Sequence, residues 1–287
     1  MSRLAYVNGR FVRQAEAGVS IEDRGYQLGD GIYEVWAVMG GKLADAEGHF
    51  ARLERSLGEL GIVMPMTRAA LTIALHETVR RNRVRHGIVY LQVTRGVARR
   101  DHAFPNPPVA PTVVITARPT NPVAAEARAA KGVGVITTPE NRWGRCDIKT
   151  VNLLPNVLAK QAAKEEGAFE AWFVDDQGLV TEGASSNAWI VDKDGVLRTR
   201  DIGANILRGV TRLSLIDVAR DAGYRVEEWP FTVEEAKQAR EAFLTGAGAL
   251  VMPIVSIDGQ PVANGHPGEV ARTLRAAYIR RAAETAV

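Results

Sequence analysis

One of the seven lysines in this chain stands where it could react as an amine. Lys149 lies in the stretch Arg142-Trp-Gly-Arg145-Cys146-Asp-Ile-Lys149-Thr-Val-Asn-Leu-Leu-Pro-Asn156, with a largely apolar run behind it. Lys42, Lys131, Lys160, Lys164, Lys193 and Lys237 sit instead beside turns or on charged helical faces. An ammonium drawn towards a dry site loses hydration, its pKa falls, and the neutral amine becomes a nucleophile or base. Arg142 and Arg145 are expected to depress it further. A solitary lysine more often lifts its head back to water along its four-carbon stem, so the reading needs companions.

Several segments offer them. Glu182 is the single acid in Thr181-Glu-Gly-Ala-Ser-Ser-Asn187, a setting of small residues that lets a carboxylate approach something flat, or a plain serine-rich turn. Gly209-Val210-Thr211 opens an amphipathic helix, and the free N–H groups and dipole of such an end bind phosphate. Arg95, Arg99, Arg100 and His102 crowd one loop, Arg95-Gly-Val-Ala-Arg-Arg-Asp-His102, where they repel unless an acid or a bound carboxylate answers them; a solvated basic loop is the alternative. Arg52 lies beside the apolar stripe of its helix, which suits an anion site, although solvated helix arginines are commoner. Tyr33, on a strand, is either a core tyrosine or a phenol facing a cleft. Cys146 is a poor nucleophile, since the sequence places no histidine beside it and buried thiols are usually inert.

The elements that must carry these residues follow from pattern. Ala5 to Val12 is a hairpin about Asn8-Gly9, and Ile32 to Met39 is a strand returned by Gly40-Gly41. Tyr33, Val35 and Ala37 share one of its faces. Between them, Ile21 to Gly31 reads as an irregular loop. Phe50, Leu53, Leu57 and Leu60 have helical spacing, and Thr67 caps a second helix through Val79. Gly87 to Thr94 and Thr112 to Thr116 are strands. The prolines after Arg118 mark a domain boundary, with an N-terminal domain over 1–118, a linker over 119–131 and a C-terminal domain over 132–287. In the second half strands and helices alternate, with a helix from about Pro155 to Glu166 and another from Gly268 to about Ala286.

Size and composition narrow the classes. At 287 residues and 46% hydrophobic, the chain can bury two cores. A net charge of +3 comes from scattered arginines among 33 acids, which argues against nucleic-acid binding. One cysteine excludes an intrachain disulfide and a cysteine-rich zinc site, and no metal is expected. The start shows no apolar leader and no run long enough to span a membrane, so a cytoplasmic location is expected.

Four segments then match one family in order. Asp23-Arg-Gly-Tyr-Gln-Leu-Gly-Asp-Gly-Ile-Tyr33-Glu-Val, Arg145-Cys-Asp-Ile-Lys149-Thr-Val-Asn-Leu-Leu, Thr181-Glu182-Gly-Ala-Ser-Ser-Asn187 and Leu207-Arg-Gly-Val-Thr-Arg212 resemble the signatures of D-amino acid aminotransferases, fold type IV pyridoxal-phosphate enzymes. The resemblance covers almost the whole chain. It implies two domains of α+β and α/β character: a small N-terminal α+β domain, and a larger C-terminal cofactor-binding domain with a mixed, barrel-like sheet. It implies pyridoxal 5'-phosphate as cofactor, with Lys149 as the linking lysine and proton shuttle, Glu182 on the ring nitrogen, and Arg52 with Val210 and Thr211 on the phosphate. Arg100-Asp-His102 resembles the family's carboxylate trap, which with Tyr33 grips the substrate and sets the D-preference. In the family that loop crosses from a partner subunit, which implies a homodimer with shared sites. The substrates implied are a D-amino acid such as D-alanine and a 2-oxo acid such as 2-oxoglutarate or pyruvate.

The family's second phosphate clamp is a hydroxyl-bearing loop. Here it reads Thr245-Gly-Ala-Gly-Ala249, so the clamp would rest largely on backbone N–H groups. Alternatives on the same fold are a branched-chain L-aminotransferase, an (R)-amine transaminase and an aminodeoxychorismate lyase. A cofactor-free Schiff-base aldolase is the alternative from another class, and it would leave Glu182 and the Gly209 helix end without a task.

Overall fold

The computed structural model describes residues 3–287. It divides into two compact units, the first running to Asn121 and also including Ile148–Asn152 and Thr285–Val287, the second comprising Pro122–Asp147 and Leu153–Glu284.

The first unit contains β1 (Leu4–Val7), β2 (Arg10–Arg13), α1 (Arg24–Leu28), β3 (Gly31–Met39), β4 (Lys42–Leu43), α2 (Ala46–Glu59), α3 (Arg68–Arg81), β5 (Gly87–Thr94) and β6 (Thr112–Pro119). Its six strands form an antiparallel sheet in the order β2-β1-β6-β5-β3-β4. Alternation along β3 sends Ile32, Trp36 and Val38 into a core with Phe50, Leu53 and Leu57 of α2 and Leu71, Leu75 and Val79 of α3. Tyr33 and Val35 fall on the opposite, half-buried face. The Thr67 hydroxyl accepts from the Ala70 N–H at 3.3 Å and starts α3 as its type and position predict. The segment read as an irregular loop contains α1, one turn too short to show a period; the Asp23 carboxylate caps it by accepting from Gly25 N–H at 2.8 Å.

The stretch carrying the lysine returns to this sheet. Tyr33 N–H donates to the Lys149 carbonyl at 3.0 Å, Val151 N–H donates to the Gly31 carbonyl at 3.1 Å, and Ile32 faces Thr150 in an antiparallel bridge. Ile148 anchors the stretch in the same core.

The core of this unit also takes in charge. Glu34 is fully buried and accepts from Arg52 Nε at 2.7 Å and Nη2 at 2.8 Å, and from His49 Nδ1 at 2.8 Å. Burial alone would raise the Glu34 pKa, but the Arg52 charge and hydrogen bonds, with help from His49, hold it far below the usual carboxylate range. Burial lowers the His49 pKa against the pull of Glu34, and because an ionised carboxylate only accepts, the Nδ1 that faces it donates.

The second unit opens with α4 (Pro122–Lys131), so most of the stretch expected as linker is a helix. Its remaining elements are β7 (Val133–Pro139), α5 (Leu154–Glu165), β8 (Glu170–Val174), β9 (Val180–Gly183), β10 (Asn187–Val191), β11 (Leu197–Thr199), α6 (Val210–Asp221), β12 (Val226–Glu228), α7 (Val233–Lys237), β13 (Glu241–Gly246), β14 (Leu250–Ile257), β15 (Gln260–Pro261) and α8 (Glu269–Glu284). The strands make a mixed sheet in the order β12-β11-β10-β13-β14-β7-β8-β9, with β15 on β14. β7 runs parallel to both β14 and β8, and α5 is the crossover helix between β7 and β8. Trp172, Phe231, Leu244 and Ile254 lead its apolar core.

Glu34→Gln leaves the Arg52 guanidinium buried beside a neutral amide. It is expected to lower unfolding free energy by about 3–5 kcal/mol at pH 7 in denaturant titrations. The Glu34 pKa is depressed on folding, so its contribution is full above the unfolded value of 4.5 and declines as pH falls towards the folded one. The gap between wild type and variant should therefore narrow below about pH 4.

Candidate active site

In the first unit the lysine and the tyrosine meet. The Lys149 Nζ lies 4.2 Å from the centroid of the Tyr33 ring, in cation–π range. The side chain is half-buried, and its own backbone N–H reaches the Ser56 hydroxyl of α2 at 3.4 Å. Tyr33 stacks on Tyr90 at 5.6 Å, and the Tyr90 hydroxyl donates to Gln92 at 2.7 Å. Burial, reinforced by Tyr33, pushes the Tyr90 phenol up to about 12. Tyr33 thus faces the Lys149 amine on the side of β3 away from the core.

Arg52 is not a solvated helix arginine. It is 9% exposed, with two nitrogens forked onto Glu34. The basic loop divides likewise. Arg95 leaves the exposed cluster: its Nε donates to Asp30 at 2.7 Å, its Nη2 to the Leu60 carbonyl at 2.7 Å, and its guanidinium lies 3.5 Å from the centroid of the Phe104 ring. An acid therefore answers one of the arginines. Arg99, Arg100 and His102 stay exposed, and among the described residues no hydrogen bond, ion pair or ring contact joins Arg100 or His102 to Tyr33 or Lys149.

In the second unit Glu182 is 5% exposed and tightly held. It accepts from Arg142 Nη1, from Asn187 Nδ2 at 3.0 Å and from the Leu207 N–H at 3.1 Å. Arg142 also donates to Glu140 through Nε at 2.8 Å. Burial opposes the Arg142 charge, and Glu140 with Glu182 more than restores it. Arg145 pairs with Asp147 at 2.9 Å. The two arginines expected to act on Lys149 are each matched by carboxylates within this unit, and Arg142 serves Glu182. Cys146 donates to the Trp143 carbonyl at 3.1 Å, and burial pushes its thiol up to about 11, which fits an inert cysteine.

Val210 and Thr211 are buried in the first turn of α6, whose N-cap Gly209 supplies no side chain. Their N–H groups lie among those an α-helix cannot satisfy internally. Gly209 is required sterically: a Cβ there would sit 1.9 Å from the Asn187 Oδ1. Asn187 Nδ2 donates to both Glu182 and the Leu207 carbonyl, so one amide ties the acid to the start of the helix. Ser185 and Ser186, by contrast, donate to buried Glu170 at 2.7 and 3.1 Å. The Thr245 hydroxyl is 1% exposed and accepts from the Trp189 indole N–H at 3.1 Å, while residues 246–249 carry no hydroxyl.

The model of the family described as amino-transferase class IV matches residues 31–257. The chain belongs to that family. Among curated relatives of this class IV aminotransferase, the D-alanine aminotransferase of Bacillus licheniformis is 42% identical over 94% of each chain, and that of Staphylococcus epidermidis is 42% identical over 95% of each. Among solved structures, the T.th. branched-chain amino acid aminotransferase with pyridoxamine 5'-phosphate superposes with a TM-score of 0.88 at 29% identity, covering 98% of this chain and 94% of that one. The architecture is thus fold type IV.

Asn187, Glu34 and Arg24 are supporting residues that the sequence does not single out, and Arg142, expected to act on Lys149, supports Glu182 instead. Asn187 and Arg24 lay inside quoted motifs, but only contact distances reveal what their side chains hold. Gly209→Ala is expected to cost about 1–3 kcal/mol in thermal or denaturant unfolding, by driving the new methyl into Asn187. If the clash is with that amide, adding Gly209→Ala to Asn187→Ala should cost almost nothing further.

Proposed function

We propose that this protein is a pyridoxal-phosphate-dependent D-amino acid aminotransferase, exchanging amino groups between a D-amino acid such as D-alanine and a 2-oxo acid such as 2-oxoglutarate or pyruvate in a ping-pong cycle. The observation that carries the reading is the 42% identity to D-alanine aminotransferases across nearly the full chain, on a framework that retains Lys149, Glu182 and Arg100-Asp-His102. The donor set fits the cofactor: a half-buried amine over a phenol ring, a carboxylate whose ionised form Arg142 favours, and an uncapped helix N-terminus.

Bound pyridoxal phosphate supplies an aldehyde carbon that takes up the substrate amine and a ring that draws electrons from the substrate Cα. Lys149 would hold that carbon between turnovers and, once the substrate amine displaces it, its free amine would carry the proton between the substrate Cα and the cofactor C4′. Its backbone bonds to β3 restrict where Nζ can reach. Glu182 keeps the ring nitrogen protonated, with Arg142 and Asn187 fixing its two oxygens. The N–H groups of Val210 and Thr211, together with Arg52 oriented by Glu34, hold the phosphate, and the backbone of residues 245–249 provides the second clamp. Arg100, His102 and Tyr33 grip the α-carboxylate. Handedness follows from which side the carboxylate is held while Lys149 serves one face.

The unit that carries Glu182 and α6 acts as the cofactor-binding domain. The exposed Arg100–His102 loop and the family resemblance support a homodimer in which that loop completes the partner's site. No helix is long and apolar enough to cross a membrane among the described residues, and a lone thiol suits the reducing cytoplasm, where we place the enzyme.

Two measurements test the reading. The purified enzyme loaded with pyridoxal phosphate should change its visible absorption on adding D-alanine and not on adding L-alanine; a response to the L-isomer alone overturns the D-assignment. Mixed and refolded Lys149→Ala subunits, inactive alone, and Arg100→Ala subunits, weakened alone by a raised KM, should at D-alanine well below that KM regain about a quarter of wild-type activity, because half the dimers are hybrids with one intact site. No recovery overturns the shared site.

A further inference from the structure

The loop between β5 and β6 carries Arg100 and His102 and has no secondary structure of its own. Loops of this length need anchors to hold functional side chains in place. Its base is fixed by backbone pairing, with an antiparallel bridge between Asp23 and Val97 and a bond from Arg24 N–H to the Gly96 carbonyl at 2.9 Å. Beyond the base, one buried side chain reaches the functional part. Arg24, 3% exposed, donates through Nη1 to the Asp101 carbonyl at 2.6 Å and through Nη2 to the His102 carbonyl at 3.4 Å. Its Nε donates to Asp30 Oδ2 at 2.8 Å, the same oxygen that Arg95 Nε reaches at 2.7 Å.

We infer that Arg24 is a positioning residue for substrate carboxylate recognition, acting through the loop that carries Arg100 and His102. This rests on the proposed role of those two residues. The guanidinium fork fixes consecutive carbonyls at 101 and 102, and therefore both peptide planes that flank the His102 side chain, with Arg100 one residue ahead of the first. Asp30 fixes the fork in turn and shares its charge with Arg95, whose guanidinium stacks on Phe104 farther along the loop. The buried arginine has a structural partner on one edge and the loop backbone on the other. Deep burial keeps water from competing for those carbonyl bonds. Asp101, between the two substrate-facing residues, contributes through its backbone to Arg24 and through its side chain to the Ala103 N–H at 3.3 Å.

A lysine at position 24 can keep the charge near Asp30 but cannot bridge two carbonyls and a carboxylate with one planar fork. In the cofactor-loaded enzyme, Arg24→Lys is expected to raise the KM for D-alanine and for the 2-oxo acid by about tenfold or more, the scale of a lost hydrogen bond to a charged donor, with kcat changed much less. The decisive comparison is Arg24→Lys with and without Arg100→Ala. If Arg24 works through the loop, its effect on KM shrinks to near nothing once Arg100 is gone. An equal rise in both backgrounds assigns Arg24 to general folding and overturns the inference. So does an unchanged KM in Arg24→Lys when Arg100→Ala alone raises it. If Arg100→Ala leaves KM for D-alanine unchanged, the carboxylate-trap reading itself fails, and the positioning role falls with it.

Discussion

The backbone of Lys149 is a rung of a sheet, and that pairing fixes where its amine can stand. Its carbonyl accepts from Tyr33 N–H, and the next rung runs from Val151 N–H to Gly31. The segment is five residues of the first unit flanked on both sides by chain of the second. Ile148 in the core and Thr150 opposite Ile32 lock its register. A slip of one residue would turn Lys149 to the core side and bring Thr150 over the phenol ring. The placement of Tyr33, Tyr90 and Gln92 around the amine depends on that register.

The other candidate site residues are held by buried ion pairs rather than by apolar packing. Arg52 is set by Glu34, Glu182 by Arg142, and Arg24 by Asp30. Such pairs bring little net stability, since desolvation opposes attraction, but they tolerate no missing member and fix orientation through forked bonds. That is the property a site needs when its side chains must stay charged and aimed. Asn187 adds a neutral link of the same kind, tying Glu182 to the chain that enters α6.

The fold itself does not choose the substrate. The chain superposes on a branched-chain amino acid aminotransferase with a TM-score of 0.88, yet it is more similar in sequence to D-alanine aminotransferases, at 42% identity. One fold can serve different substrates, because connections such as the Arg95 to Pro111 loop can change at little cost to the core. The anchoring of that loop by Arg24 and Arg95 shows how an irregular segment acquires a defined shape from buried charge at its base.

Much of this was legible in the residues. Alternation marked β3 and grouped Tyr33 with Val35 on one face without saying whether that face was the core, Thr67 marked the start of α3, Asn8-Gly9 marked the first hairpin, and the apolar run after Lys149 singled out that lysine. These signals are local, since period, capping and turn chemistry depend on residues a few positions apart. The one-turn α1 and the helix α4 were missed because the first is too short to show a period and the prolines ahead of the second read as linker. What only tertiary structure decided is which charges meet. Arg142 stands seven residues before Lys149 in the chain, yet it belongs to Glu182, forty residues on. Arg95 looks like one more cation in a basic loop and instead joins Arg24 on Asp30. Partners of that kind are selected by sheet register and helix packing, and an ion pair leaves no periodic trace along the sequence from which it could be read.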